Sequence, residues 1–143
     1  MHLSSAYCRR NDPMPVRNHA DAVRLISAAV HEPLEHQTLG VLLDRHGRGR
    51  ENAIIDVSGT VEPEAMLRVT NFMSMLGERS HPFTRLVVAT VRPNGGLLAE
   101  DVDRWLEASQ IAEGYGVRLI EWYVVHPDGI SRPRELLGEP PRW

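Results

Sequence analysis

The chain reads as a layered α/β domain, with a single mixed β-sheet of at least four strands flanked by about three helices. Three observations point there. Short apolar runs of buried-strand type alternate along the chain with longer stretches whose apolar residues recur at helical spacing. Two of those runs are separated only by a glycine-punctuated turn, as in a hairpin. The length of 143 residues and the hydrophobic fraction of 42% suit one globular domain without a staple.

Taken in order, residues 1–17 carry two prolines and adjacent arginines without periodicity, and read as a mobile N-terminal arm. Residues 20–30 place Ala22, Val23, Ile26, Ala29 and Val30 at helical spacing, with Asn18 or Asp21 available as the cap and Pro33 as the stop. Leu39–Leu43 is a continuous apolar run of strand length. Residues 44–50 form the turn, and 52–57 return as its antiparallel neighbour. Residues 62–76 form a second helix, with Ala65, Met66, Val69, Phe72, Met73 and Leu76 as its stripe. Acidic residues and Pro63 fall in its first turn, and Gly77 is placed to cap it.

A buried-type strand follows at Arg85–Val91. The third helix spans 100–115, with Val102, Trp105, Leu106, Ser109 and Ala112 on one face, and Gly114 and Gly116 stop it. Val117–Val125 is the fourth strand, on which alternation puts Ile120, Trp122 and Val124 on one face. Pro127-Asp128-Gly129 is a turn. The domain is thus expected over 18–129, with a proline-rich tail at 130–143.

Composition restricts function. A formal charge of −3 gives no bulk attraction to nucleic acid, and no apolar run approaches the length of a membrane span. The single cysteine, Cys8, cannot make an internal disulfide, and with no apolar leader segment a cytoplasmic location is expected. Cys8 has no positioned base, and no serine stands in a G-x-S-x-G context. All sixteen basic residues are arginine, as GC-rich coding favours.

The most informative stretch is Val91–Asp103, V-R-P-N-G-G-L-L-A-E-D-V-D, where a strand ends and a helix opens. That is where α/β domains keep their chemistry. Together with Val41-Leu42-Leu43-Asp44, Val57-Ser58-Gly59-Thr60, Arg92-Pro93-Asn94-Gly95, Ala99-Glu100-Asp101 and Gly116-Val117-Arg118-Leu119-Ile120-Glu121-Trp122, it resembles the bacterial RadC branch of the JAB/MPN metalloprotease-like domain. The resemblance spans 34–129, about two thirds of the chain.

The resemblance implies a zinc held by two histidines and an aspartate, with a glutamate assisting the bound water. Here Thr90 or Val91 stands near the first histidine and Arg92 at the second. Asp103 or Asp101 remains for the aspartate, and Glu35 or His36 lies near the assisting glutamate. Catalytic zinc takes about three protein ligands, and a guanidinium repels a divalent cation. No zinc is therefore expected at this cleft, and no other cofactor is indicated. Arg92, Asn94, Glu100, Asp101 and Asp103, with Glu35 and His36, form the candidate degenerate cleft.

Outside it, His31-Glu32-Pro33-Leu34-Glu35-His36 is not H-E-x-x-H, and Pro33 breaks the helix that would align ligands. Arg45, Arg48 and Arg50 beside His46 make a basic hairpin tip that could touch phosphates. Trp143 follows two prolines and either packs back on the domain or engages a partner. Burial of Leu136, Leu137 and Trp143, against the domain or a second copy, is expected, with Arg132, Arg134 and Arg142 at a wet rim. The expected function is a non-catalytic RadC-like module that binds or regulates a protein, or self-associates. The alternatives are a zinc-dependent, isopeptidase-like hydrolase and a nucleic-acid-associated factor.

Overall fold

The computed structural model describes residues 2–3, 14–59 and 61–143; Cys8 and most of the N-terminal arm lie outside them. In chain order the elements are β1 (His2–Leu3), α1 (His19–Ala29), β2 (Gln37–Leu43), β3 (Gly49–Ser58), α2 (Ala65–Arg79), β4 (Arg85–Val91), α3 (Asp101–Gly114), β5 (Arg118–His126), β6 (Gly129–Ser131) and α4 (Pro133–Leu136). The strands form one mixed sheet in the order β1-β3-β2-β4-β5-β6. β2 and β3 are the expected antiparallel hairpin, and β4 with β5 is the only parallel pair among the described residues. No helix among the described residues is long and apolar enough to cross a membrane.

Helices cover both faces. On one, Leu42, Leu86, Val88, Leu119, Trp122 and Val124 pack with Met66, Val69 and Met73 of α2 and Trp105, Ala108 and Ala112 of α3. On the other, Leu39, Val41, Leu43, Val87, Ala89 and Tyr123 pack with Ala22, Leu25 and Ile26 of α1. Central strands buried on both sides read as unbroken apolar runs, which is why 39–43 and 85–91 carry no polar alternation. Gly40 fits this layering, since a Cβ there would come within 2.9 Å of Val69 and Met73 on α2.

The helix boundaries carry the local chemistry. Asn18 caps α1, accepting from the Asp21 amide at 2.9 Å, while the Asp21 carboxylate accepts from the Arg17 amide at 3.0 Å. α2 begins after Pro63, so no acid lies in its first turn, and it runs through Gly77 to Arg79. Gly77 is therefore not a cap. It is buried, and a Cβ there would sit 2.7 Å from Val117 Cγ2 and 2.9 Å from the Phe83 carbonyl. Alanine gains about 1 kcal/mol of helix propensity but meets a backbone oxygen, and overpacking costs about 1–3 kcal/mol. Gly77→Ala should lower stability by about 1–2 kcal/mol in urea denaturation. An unchanged midpoint would show that the Phe83 segment yields freely.

Several expectations are corrected. Leu106 is 41% exposed, and the buried face of α3 is instead Asp101, Trp105, Ala108, Ser109 and Ala112. Ile120 does not share a face with Trp122 and Val124. The β4–β5 register shifts between Leu86 and Val87, pairing Leu86 with Leu119 but Val87 with Glu121. The extra residue sends Ile120 to the α1 side. Val16, expected in a mobile arm, is buried, and its amide donates to the Gly47 carbonyl at 2.7 Å.

The segment after Gly129 contains β6 and α4, and its packing reverses the expected pattern. Leu136 and Leu137 are 57% and 39% exposed, whereas Arg134 is buried. Trp143 does pack back, against the α1-side cluster. Arginines thus hold this segment down while its leucines face outward.

Candidate functional site

The candidate cleft lies at the carboxyl end of the parallel pair. β4 ends at Val91, whose register partner on β2 is Gln37, so Glu35, His36 and Arg92 leave the sheet at the same end. The Arg92 amide donates to the Val125 carbonyl at 2.8 Å, fixing where the loop departs. On the strand below, the Trp122 indole donates to Thr90 Oγ1 at 2.9 Å, and the Arg92 guanidinium lies 5.8 Å from the Trp122 ring centroid.

Arg92 does not line an open cleft; it folds across the loop onto the first turn of α3. Its Nη1 and Nη2 donate to Asp101 Oδ2 and Oδ1 at 2.6 and 2.8 Å, a bidentate pair. Arg104 Nη1 donates to Oδ1 at 2.9 Å, and the Leu98 amide donates to Oδ2 at 2.7 Å. Each Asp101 oxygen therefore accepts two hydrogen bonds, which fills the carboxylate's capacity. Arg92 Nη1 also donates to the Gly96 carbonyl at 2.9 Å. Asp101 is fully buried, and the Arg92 side chain is 11% exposed. Burial by itself raises the Asp101 carboxyl. The hydrogen bonds from Arg92, Leu98 and Arg104, with the charge of Arg92, outweigh it and hold the group below the usual carboxylate range.

The zinc implied by the resemblance does not fit this arrangement. The nearest aspartate has no free lone pair, and a guanidinium occupies the ground a cation would need. The other candidates are not drawn into the network. Asn94, Glu100 and Asp103 are exposed, as is Glu35, while His36 is half-buried. Glu35 lies instead 3.6 Å from His31, whose Nε2 is 3.4 Å from Asp56 Oδ2. Gln37 bridges Asp56 and the Ala29 carbonyl at 3.0 and 3.2 Å, tying the end of α1 to the sheet. Among the described residues, no group of three or more His, Cys, Asp or Glu is arranged to hold a metal.

The basic hairpin tip lies at the opposite end of the sheet, because Leu43 pairs with Arg85 at the start of β4. Asp44 Oδ1 accepts from the amides of His46 and Arg48 at 2.8 and 2.9 Å, which shapes the turn. Arg45 and Arg48 are exposed; the Arg50 side chain lies outside the described part.

A second buried ion network was not singled out from sequence. Glu121, in the middle of β5, accepts from Arg134 Nε at 3.0 and 3.2 Å; the two side chains are 1% and 3% exposed. Arg134 Nη1 also donates to the Glu139 carbonyl. Arg142 stacks 4.4 Å over Trp105 and donates to Ser109 Oγ at 3.0 Å and the Leu119 carbonyl at 2.9 Å. Glu139 joins the two, accepting from Arg142 at 2.9 Å and from the Trp105 indole at 3.3 Å. One signal was visible: a glutamate inside the apolar run Leu119–Val125 must find a cationic partner when buried. No family model matches this chain, and no curated protein matches it.

Proposed function

We propose that this chain is a non-catalytic RadC-like JAB/MPN module that binds a protein partner, with Arg92 standing as the fixed cation where the family places zinc. The observation that carries the reading is the bidentate pair at 2.6 and 2.8 Å between Arg92, at the second histidine position of the resemblance, and Asp101, one of its two candidates for the aspartate. The order of a β2–β3 hairpin, α2, a strand running into this loop, α3 and a parallel strand supports it as well. A guanidinium supplies charge and holds the loop, but it offers no open coordination position and lowers no water's pKa. What remains is a rigid edge. The loop fixed by Arg92 presents Asn94, Leu98 and Glu100 to solvent, and Leu98 is 40% exposed. That edge is the surface assigned to the partner.

Zinc content is the test. Protein exchanged against excess zinc and then dialysed should retain well below one equivalent by elemental analysis, and should not cleave isopeptide-linked substrates. One tightly held equivalent that is lost in Asp101→Asn would overturn the reading in favour of a zinc hydrolase.

A further inference from the structure

The amino end of the parallel pair carries a different feature. A cleft of about 450 Å3 opens there, lined by Thr84, Arg85, Glu113, Gly116, Arg118 and Arg142 among others. Its volume falls within the range of small-ligand sites. Three arginines line it beside Glu113, and one of them, Arg142, is already paired with Glu139. Arg85 and Arg118 are register partners on β4 and β5, so their side chains leave the sheet side by side. Among the described residues, neither forms an ion pair with any carboxylate. Like charges in adjacent positions repel, and an anion lying between them relieves that repulsion.

Arg142 differs from these two. Its contacts to Ser109, the Leu119 carbonyl, Glu139 and the Trp105 ring hold it half-buried at the wall of the cleft. With both its Nη atoms bonded, Arg142 gives the cleft a fixed wall, and the open forks left to match a tetrahedral oxyanion are those of Arg85 and Arg118. Thr84, which carries a hydroxyl, is a further polar lining residue.

We propose that this cleft binds the phosphate group of a small phosphorylated molecule, held between Arg85 and Arg118 against a wall fixed by Arg142. It lies at the opposite end of the sheet from the Arg92 loop and stands whether or not the protein-binding reading of that loop holds.

Inorganic pyrophosphate is the probe, at constant ionic strength. Tryptophan emission should change saturably, because Trp105 lies beneath Arg142. The melting temperature should rise by about 4 °C at about ten times Kd, as mass action on a domain of this size implies. Arg85→Ala with Arg118→Ala should abolish both responses. That variant's melting temperature without pyrophosphate should stay level or rise, since repulsion is relieved. Arginines that served only the carboxyl-terminal dipole of α3 would instead lower it when removed. Arg118→Gln alone gives a milder check, with binding weakened at least tenfold. Arg45→Ala with Arg48→Ala, at the hairpin tip, should retain full binding.

Three outcomes would overturn the assignment: no saturable response, equal responses in wild type and the Arg85/Arg118 variant, or loss in the hairpin-tip variant instead. A response to a single-stranded oligonucleotide with none to pyrophosphate would equally reject a small-molecule site.

Discussion

Arg134→Ala should cost about 3–5 kcal/mol in urea denaturation at pH 7, the effect of stranding one charge of a buried pair. The substitution leaves Glu121 at 1% exposure with Arg132 as its nearest cation, 4.0 Å away. The C-terminal segment should loosen with it, because Arg134 also holds the Glu139 carbonyl. Burial already raises the Glu121 carboxyl despite Arg134, and removing Arg134 raises it further. An acid whose folded pKa is raised contributes stability at low pH that is lost as pH climbs through that pKa. The penalty of Arg134→Ala should therefore shrink as pH falls and the carboxyl protonates. Glu121→Gln with Arg134→Met should recover most of the loss, since a neutral pair of similar volume carries no stranded charge. A penalty below about 1 kcal/mol at pH 7, or one that grows in acid, would show that water reaches Glu121.

Asp101→Asn should cost about 3–4 kcal/mol at pH 7, because it removes a charge that answers both Arg92 and Arg104. The pH dependence has the opposite sign to that of Glu121. Asp101 is held below the usual carboxylate range, so its contribution is complete above the unfolded pKa and is lost as pH falls through the folded one. Wild type and Asp101→Asn should converge only in acid below the ordinary carboxylate range, as pH falls through the depressed folded pKa. Arg92→Ala should cost somewhat less, because Arg104 and the Leu98 amide still reach the carboxylate. It should also speed amide exchange through residues 92–100, where Arg92 ties Gly96 to Asp101. Lysine at 92 should recover little, having no fork to bond both oxygens and the Gly96 carbonyl together. Full stability of Arg92→Ala with unchanged exchange would remove the network as the element that shapes this loop.

Much of the frame was legible in the residues. Asn18 before an apolar stripe, the L-G-V-L-L run and the glycine turn after it each describe local physics, and the cap, β2 and the β2–β3 turn stand where those residues put them. The candidate site was legible as a place but not as a state. Val91–Asp103 marks a strand running into a helix, and Arg92 and Asp101 were both singled out there. They read as opponents, a guanidinium that repels a divalent cation and a carboxylate that could hold one. In the fold they are partners nine positions apart, closed on each other. Glu35, Asn94, Glu100 and Asp103 are exposed and take no part in that network.

What the sequence determined by itself was the order of elements from α1 to β5, the buried character of the central strands and the loop on which to look. Those depend on periodicity and on short-range steric and capping effects, which act within a few residues of chain. Only the tertiary structure decided which charges are buried and with whom. Glu121 meets Arg134 across thirteen positions, and Arg142 meets Ser109 across thirty-three. One extra residue in β5 moved Ile120 to the opposite face from Trp122. Apolar burial leaves a repeating trace in sequence because any apolar neighbour satisfies it. A buried charge needs one particular counter-charge in one geometry, and the chain carries no local record of where that partner will be.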